Sequence, residues 1–218
     1  MGCEVQVYLE FWHKEKGCWI SIYPDRPAKD VSDEDRWRTE EWGLYSTFPS
    51  DVEELAFSQT PERDRPEPHR ASYWYFGRNY SAFGYLAGVR GEGPAFEQER
   101  GIPEDASKSV KREYWLRIVE TEDENGDGCT TRARAKSWVT GQNAERYCEL
   151  DGVEYVAESD WHSASHYTLS ELSAHLRLNG DDTNIPKRIF ELRDEMVRMS
   201  DRYVVSSNEI RVVFWFDN

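Results

Sequence analysis

Three arginines, Arg78, Arg90 and Arg100, bracket a short apolar segment in FGRNYSAFGYLAGVRGEGPAFEQERG, residues 76–101. A guanidinium recognises phosphate oxygens through paired N–H donors and also stacks on aromatic rings. The grouping therefore predicts a pocket for an anionic, nucleotide-like small molecule. In that pocket Arg78, Arg90 and Arg100 contact phosphate or ribose, Tyr80 and Trp161 stack, and Asn79, His162 and His166 complete the contacts. The competing expectation is that these arginines pair with surface acids. The turn GVRGEGP, residues 88–94, follows a predicted helix instead of opening one, so its dipole is wrong for a phosphate loop.

A second stretch, SDWHSASHYT at residues 159–168, carries two imidazoles. With His162 as general base and Asp160 orienting it, the chain would be a hydrolase of the same kind of ligand. No G-x-S-x-G elbow accompanies it. On an extended chain four residues span roughly 13 Å, too far for His162 and His166 to share one metal ion. They are read as polar loop histidines, His162 also as a ligand contact. DENGDG starts like a calcium loop with Asp123, Asn125 and Asp127, but Arg134 occupies the position that needs a bidentate glutamate. A polar turn is expected there, and neither metal nor cofactor is predicted.

These groups need a scaffold, and hydrophobic periodicity supplies one. CEVQVYLEF, residues 3–11, alternates Val5, Val7 and Leu9 against Gln6, Tyr8 and Glu10, the pattern of a half-buried strand. HKEKG then turns, and CWISIY returns as a hairpin. A short helix is predicted at 32–42 and an exposed, proline-rich loop at 58–70. Asn79 caps a predicted helix over 80–89 that contains Gly84 and Gly88, read either as close packing or as close approach to a ligand.

Farther along, REYWLRIV reads as a strand, about 131–140 as a helix, and YCELDGVEYVA as a hairpin around Asp151 and Gly152. Thr168 and Glu171 form a capping-box pattern before LSELSAHLR. Ile185, Ile189, Leu192, Met196 and Met199 recur at helical spacing, and NEIRVVFWFD is apolar enough for a central strand. The expected architecture is a single α+β domain over 1–218, its terminal strands in one antiparallel sheet packed by helices.

Composition sets outer bounds. The chain has 218 residues and a formal net charge of −15, with nine Trp, twelve Tyr and nine Phe supplying a ring-rich core. Such an acidic surface argues against non-specific binding to duplex nucleic acid or anionic membrane. Cys3, Cys18, Cys129 and Cys148 show no C-x-x-C spacing, and no secretory or membrane-spanning run is present, so reduced cysteines in a cytoplasmic protein are expected. A homo-oligomer is left open.

MGCEVQVYLE, GRNYSAFGYLAGVRG, RGIPEDAS, DWHSAS and RVVFWFDN together resemble a group of small proteins of tailed phages and prophages. The likeness spans most of the chain except about 24–70, and the central block is its most specific part. The family has no settled activity, so the resemblance implies a phage accessory protein in the host cytoplasm, a class often directed against host defence. Two departures stand out: Glu4-Val5-Gln6 replaces D-I-H, and Ala164 and His166 fall in a block that in the family reads H-x-H-S-W. The resulting expectation is a sponge for a nucleotide-like host immune signal, with enzymatic activity left open. The alternatives are a hydrolase of that signal and an acidic interaction inhibitor or nucleic-acid mimic.

Overall fold

A computed structural model describes residues 4–22, 79–89, 99–120, 129–139, 147–150, 152–178 and 185–217. In chain order the elements are β1 (Glu4–His13), β2 (Cys18–Ile22), α1 (Tyr80–Ala87), α2 (Lys108–Tyr114), β3 (Trp115–Val119), β4 (Cys129–Thr131) and α3 (Arg132–Val139). They continue as β5 (Tyr147–Leu150), β6 (Val153–Ala157), β7 (His162–Thr168), α4 (Leu169–Leu178), α5 (Lys187–Tyr203) and β8 (Ile210–Asp217). The fold is α+β, with two four-stranded sheets.

The first sheet runs β2-β1-β8-β7, every neighbour antiparallel. The two ends of the chain meet at its centre: β1 pairs with β8 from Glu4 opposite Asp217 to Phe11 opposite Ile210. The second sheet runs β4-β3-β6-β5, with β3 and β4 parallel and the other pairs antiparallel. Its small core joins Ile118 and Val156 to Ala135 and Trp138 of α3.

One face of the first sheet, the helix face, carries Val5, Val7, Leu9, Phe11, Val212, Phe214 and Phe216. Against it pack α1 through Phe83 and Leu86, α4 through Leu172 and Leu176, and α5 through Ile189, Leu192, Met196 and Met199. The methionine-bearing repeat is therefore core, as its spacing implies. The other face is covered too, by residues 99–107 and α2; we call these the strap. The expectation of a half-buried β1 is corrected accordingly, because Tyr8 and Glu10 are as buried as Val7. Alternation reports which residues share a face, but not whether a distant segment covers the polar one.

Local signals account for most boundaries. Gly17, with φ of 61°, closes the β1–β2 turn in the left-handed region that glycine adopts without strain. Asn79 accepts from the Ala82 amide and starts α1, and Gly88, at φ 68°, ends it by donating to the Gly84 carbonyl. Gly88 is thus a C-cap and not an interior glycine, so only Gly84 lies within the helix. Glu171 accepts from the Thr168 amide while the Thr168 hydroxyl accepts from the Glu171 amide, completing the predicted capping box.

Two segments differ from their sequence reading. The stretch read as strand from Arg112 is helical as far as Tyr114, because Ser107 caps α2 by accepting from the Val110 amide. The two histidines of HSASHYT, His162 and His166, lie on a strand, β7, where a loop was expected. The segments 32–42, 58–70 and the calcium-like turn at 121–128 lie outside the described residues. Among the described residues, no helix is long and apolar enough to cross a membrane.

Candidate functional site

The strap face holds an ionic cluster built from three distant parts of the chain, buried at Glu10 and Arg211 and open to solvent at Asp105. Glu10 and Arg211 face each other across β1 and β8, and the Arg211 Nε donates to Glu10 Oε2 at 2.7 Å. Asp105 of the strap accepts from Arg211 Nη1 at 2.8 Å and from Trp19 Nε1 at 2.9 Å. The Ser107 amide, at the start of α2, donates to Glu10 Oε1 at 2.6 Å. The Arg211 guanidinium also lies 3.9 Å from the centre of the Trp19 ring, a cation–π contact that fixes its plane. Burial pushes the Asp105 carboxyl up, but the bonds from Arg211 and Trp19 outweigh it and hold the group below its ordinary value.

Beside this cluster lies a nest of rings. Tyr8 stacks on Trp215 at 4.8 Å, while Tyr114 of α2 and Trp161 each approach Trp215 within 5.4 Å. Three buried side-chain atoms on this face, Ser21 Oγ, Arg211 Nη2 and Trp215 Nε1, have no hydrogen-bond partner among the described residues. Buried donors without acceptors cost about 1–3 kcal/mol each. All three can donate, and two of them cannot accept.

The strap is pinned at its other end by β7, the sheet's edge strand. Arg100 donates to Glu171 at 2.8 Å and to the His166 carbonyl at 3.3 Å, and its guanidinium lies over Tyr167 at 4.7 Å. The Gly101 amide donates to the Ala164 carbonyl, and His166 Nδ1 lies 3.2 Å from the Gly101 carbonyl. A carbonyl only accepts, so Nδ1 carries the imidazole proton and Nε2 the lone pair. Burial pushes the His166 imidazole below its ordinary value; Arg211 and Arg100 add to this, while the Gly101 bond and Glu171 oppose it.

The two histidines are separated by a feature no periodicity predicts. In a regular strand residues four apart share a face. Here β7 holds one extra residue between His162, opposite Phe216, and Ser165, opposite Phe214, and Ser163 adopts a positive φ of 52°. The bulge turns His162 to the helix face, where its ring stacks on Phe216 at 5.9 Å, and leaves His166 on the strap face.

The other predicted residues divide similarly. Tyr80, at the edge of α1, meets Phe83 of the helix-face core, whereas Trp161 packs with the strap-face rings. The structure therefore does not bring these two rings onto one platform. Asn79 is occupied as a helix cap, with Ser81 also donating to it. Asp160 accepts from its neighbour Ser159 and is exposed. Arg100 is engaged by Glu171; Arg78 and Arg90 lie outside the described residues.

Glu10, Asp105, Trp19 and Arg211 were missed in the sequence, although one signal was present. Arg211 is the lone charge inside the apolar run IRVVFWF, and a charge there must be paired if the strand is central. Four separated stretches, 4–10, 100–107, 160–165 and 211–217, converge on the strap face, supplying Glu10, Asp105, Trp161 and Arg211. Gln6 is paired with Trp215 on one side, and Ala164 packs in the Trp215 cluster on the other. No family model, curated protein or solved structure matches the chain.

Proposed function

We propose that the protein is a phage accessory protein that binds and sequesters an anionic, nucleotide-like small molecule, with a host immune signal as the intended ligand. The observation that carries this reading is the set of buried donors, Arg211 Nη2, Trp215 Nε1 and Ser21 Oγ, on one sheet face, lacking acceptors among the described residues. Phosphate oxygens and base-edge acceptors complement such donors. The half-buried Trp161 and Tyr114 beside them offer ring surface, and stacking a base on an aromatic side chain is worth about 1–3 kcal/mol. On this reading the site centres on Arg211, with Arg100 anchoring the strap; Arg78 and Arg90 lie outside the described residues.

Net charge shapes selectivity. A chain of charge −15 repels a polyanion at long range, while a partly desolvated guanidinium attracts a compact anion at short range. Native mass spectrometry of the purified protein against mono-, di- and cyclic nucleotides tests the reading. One nucleotide per chain, recovered intact after denaturation and held with weak salt dependence, is expected. Failure of every nucleotide to bind, or duplex DNA binding with a steep salt slope, overturns it.

A hydrolase remains the second reading, now with His166 in place of His162. It is favoured by the Nδ1 bond to the Gly101 carbonyl, which orients a neutral imidazole with its Nε2 lone pair available as a general base. Recovery of a cleaved nucleotide, abolished by His166→Gln, would select it.

A further inference from the structure

We propose that Asp105 is an internal stand-in for the ligand's anionic head group, and that this group enters by displacing Asp105 from Arg211 and Trp19. The inference rests on the nucleotide-binding reading and specifies where its phosphate sits. Arg211 is the centre of the argument: its side chain is 5 % exposed and meets two carboxylates, yet neither grips it with both oxygens. Glu10 spends Oε1 on the Ser107 amide, and Asp105 spends Oδ2 on the Trp19 indole. The fork of the guanidinium is left half filled, and Nη2 is buried with no hydrogen-bond partner among the described residues.

The two carboxylates differ in how readily they can be replaced. Glu10 is fully buried on β1, with no route to water, and its removal would strand a charge. The Asp105 side chain is 63 % exposed at the turn before α2, so a released carboxylate is solvated at once. Exchange of one anion for another also leaves the charge beside Arg211 nearly unchanged for a monoanionic head group. A phosphate has more oxygens than a carboxylate. It can therefore accept from Nη1 and Trp19 Nε1, the two donors Asp105 now serves, and also from the unfilled Nη2. Ser21, in the same cross-strand row as Glu10 and Arg211, places another unpartnered buried hydroxyl on this face.

Inorganic phosphate, the head group alone, is the probe. The reporter is the Trp19 indole N–H resonance, assigned by its loss in Trp19→Phe and followed in wild type and Asp105→Asn. Millimolar phosphate is expected to shift this resonance in wild type. In Asp105→Asn the same shift is expected at about tenfold lower phosphate, the equivalent of one charge-assisted hydrogen bond no longer in competition. Circular dichroism and thermal melting check that the variant is folded. A variant that does not fold leaves the wild-type titration decisive, since an unmoved Trp19 resonance overturns the proposal. Equal or weaker phosphate binding by a folded Asp105→Asn also overturns it. A nucleotide that binds in the mass-spectrometric panel without moving Trp19 refutes the displacement and leaves the binding function intact. A panel with no bound nucleotide and an unmoved Trp19 refutes both.

Discussion

The two faces of the first sheet are built from the same four strands, yet they are held by different forces. On the helix face, aliphatic and aromatic side chains of β1 and β8 interlock with three helices, and the stabilisation is non-directional burial. The strap face holds an ion pair, a cation–π contact, a hydrogen-bonded helix start and a group of stacked rings. Such contacts are directional, and their strength depends on every partner being present. One face thus rests on burial alone, while the other combines burial with hydrogen-bonding capacity that is unmet among the described residues.

The largest expected effect tests that contrast at Glu10. Glu10→Ala leaves Arg211 buried beside a lost partner, and equilibrium urea unfolding should show a loss of about 3–5 kcal/mol. Replacing both, as Glu10→Leu with Arg211→Met, removes the charges together and should recover most of that loss while abolishing the proposed nucleotide binding. A double variant as unstable as the single one would mean that the cluster holds the fold as strongly as the apolar face does.

Acidification should weaken the strap face in two steps. His166 is depressed in the fold, so the unfolded chain takes up its proton first. The neutral-imidazole contribution is complete above about pH 6.5 and is lost as pH falls through the lower folded value. His175, lowered by burial, acts in the same direction from α4. Urea midpoints measured between pH 7.5 and 5 should fall, and His166→Asn should reduce that fall. The second step belongs to Asp105 and Glu171, both held below their ordinary carboxyl range although burial raises them. Their contribution is full above about pH 4.5 and is lost as pH drops through the folded values. Loss of the Asp105–Arg211 and Glu171–Arg100 bonds should then release the strap, read as a change in tryptophan fluorescence before global unfolding. Coincidence of the fluorescence and circular-dichroism transitions would show that the strap is no weaker than the helix face.

The smallest effect falls on the helix-face layer. Val204, which ends α5, has φ 54° and is 85 % exposed, a left-handed conformation that β-branched residues adopt at a cost. Val204→Gly should raise stability by about 1 kcal/mol and leave phosphate binding unchanged. A destabilised variant would show that the left-handed turn is not strained.

Much of the scaffold is written in short-range pattern. Alternation in CEVQVYLEF, the apolar run before Asp217, the helical repeat from Ile185 to Met199 and the Thr168–Glu171 cap each state their own element, because they report local geometry and burial on one side. The sheet assignment of both termini followed from the same signals. The site was much less legible. Glu10, Trp19, Asp105 and Arg211 lie in four separate segments, and none has a neighbour in sequence that betrays the others. Only the pairing of β1 with β8 and the passage of the strap over them bring the charges within hydrogen-bond reach. The bulge at Ser163 is a still clearer case. A single extra residue reverses the facing of His162 relative to His166, and that choice depends on how β7 must register with β8, which the local sequence does not encode.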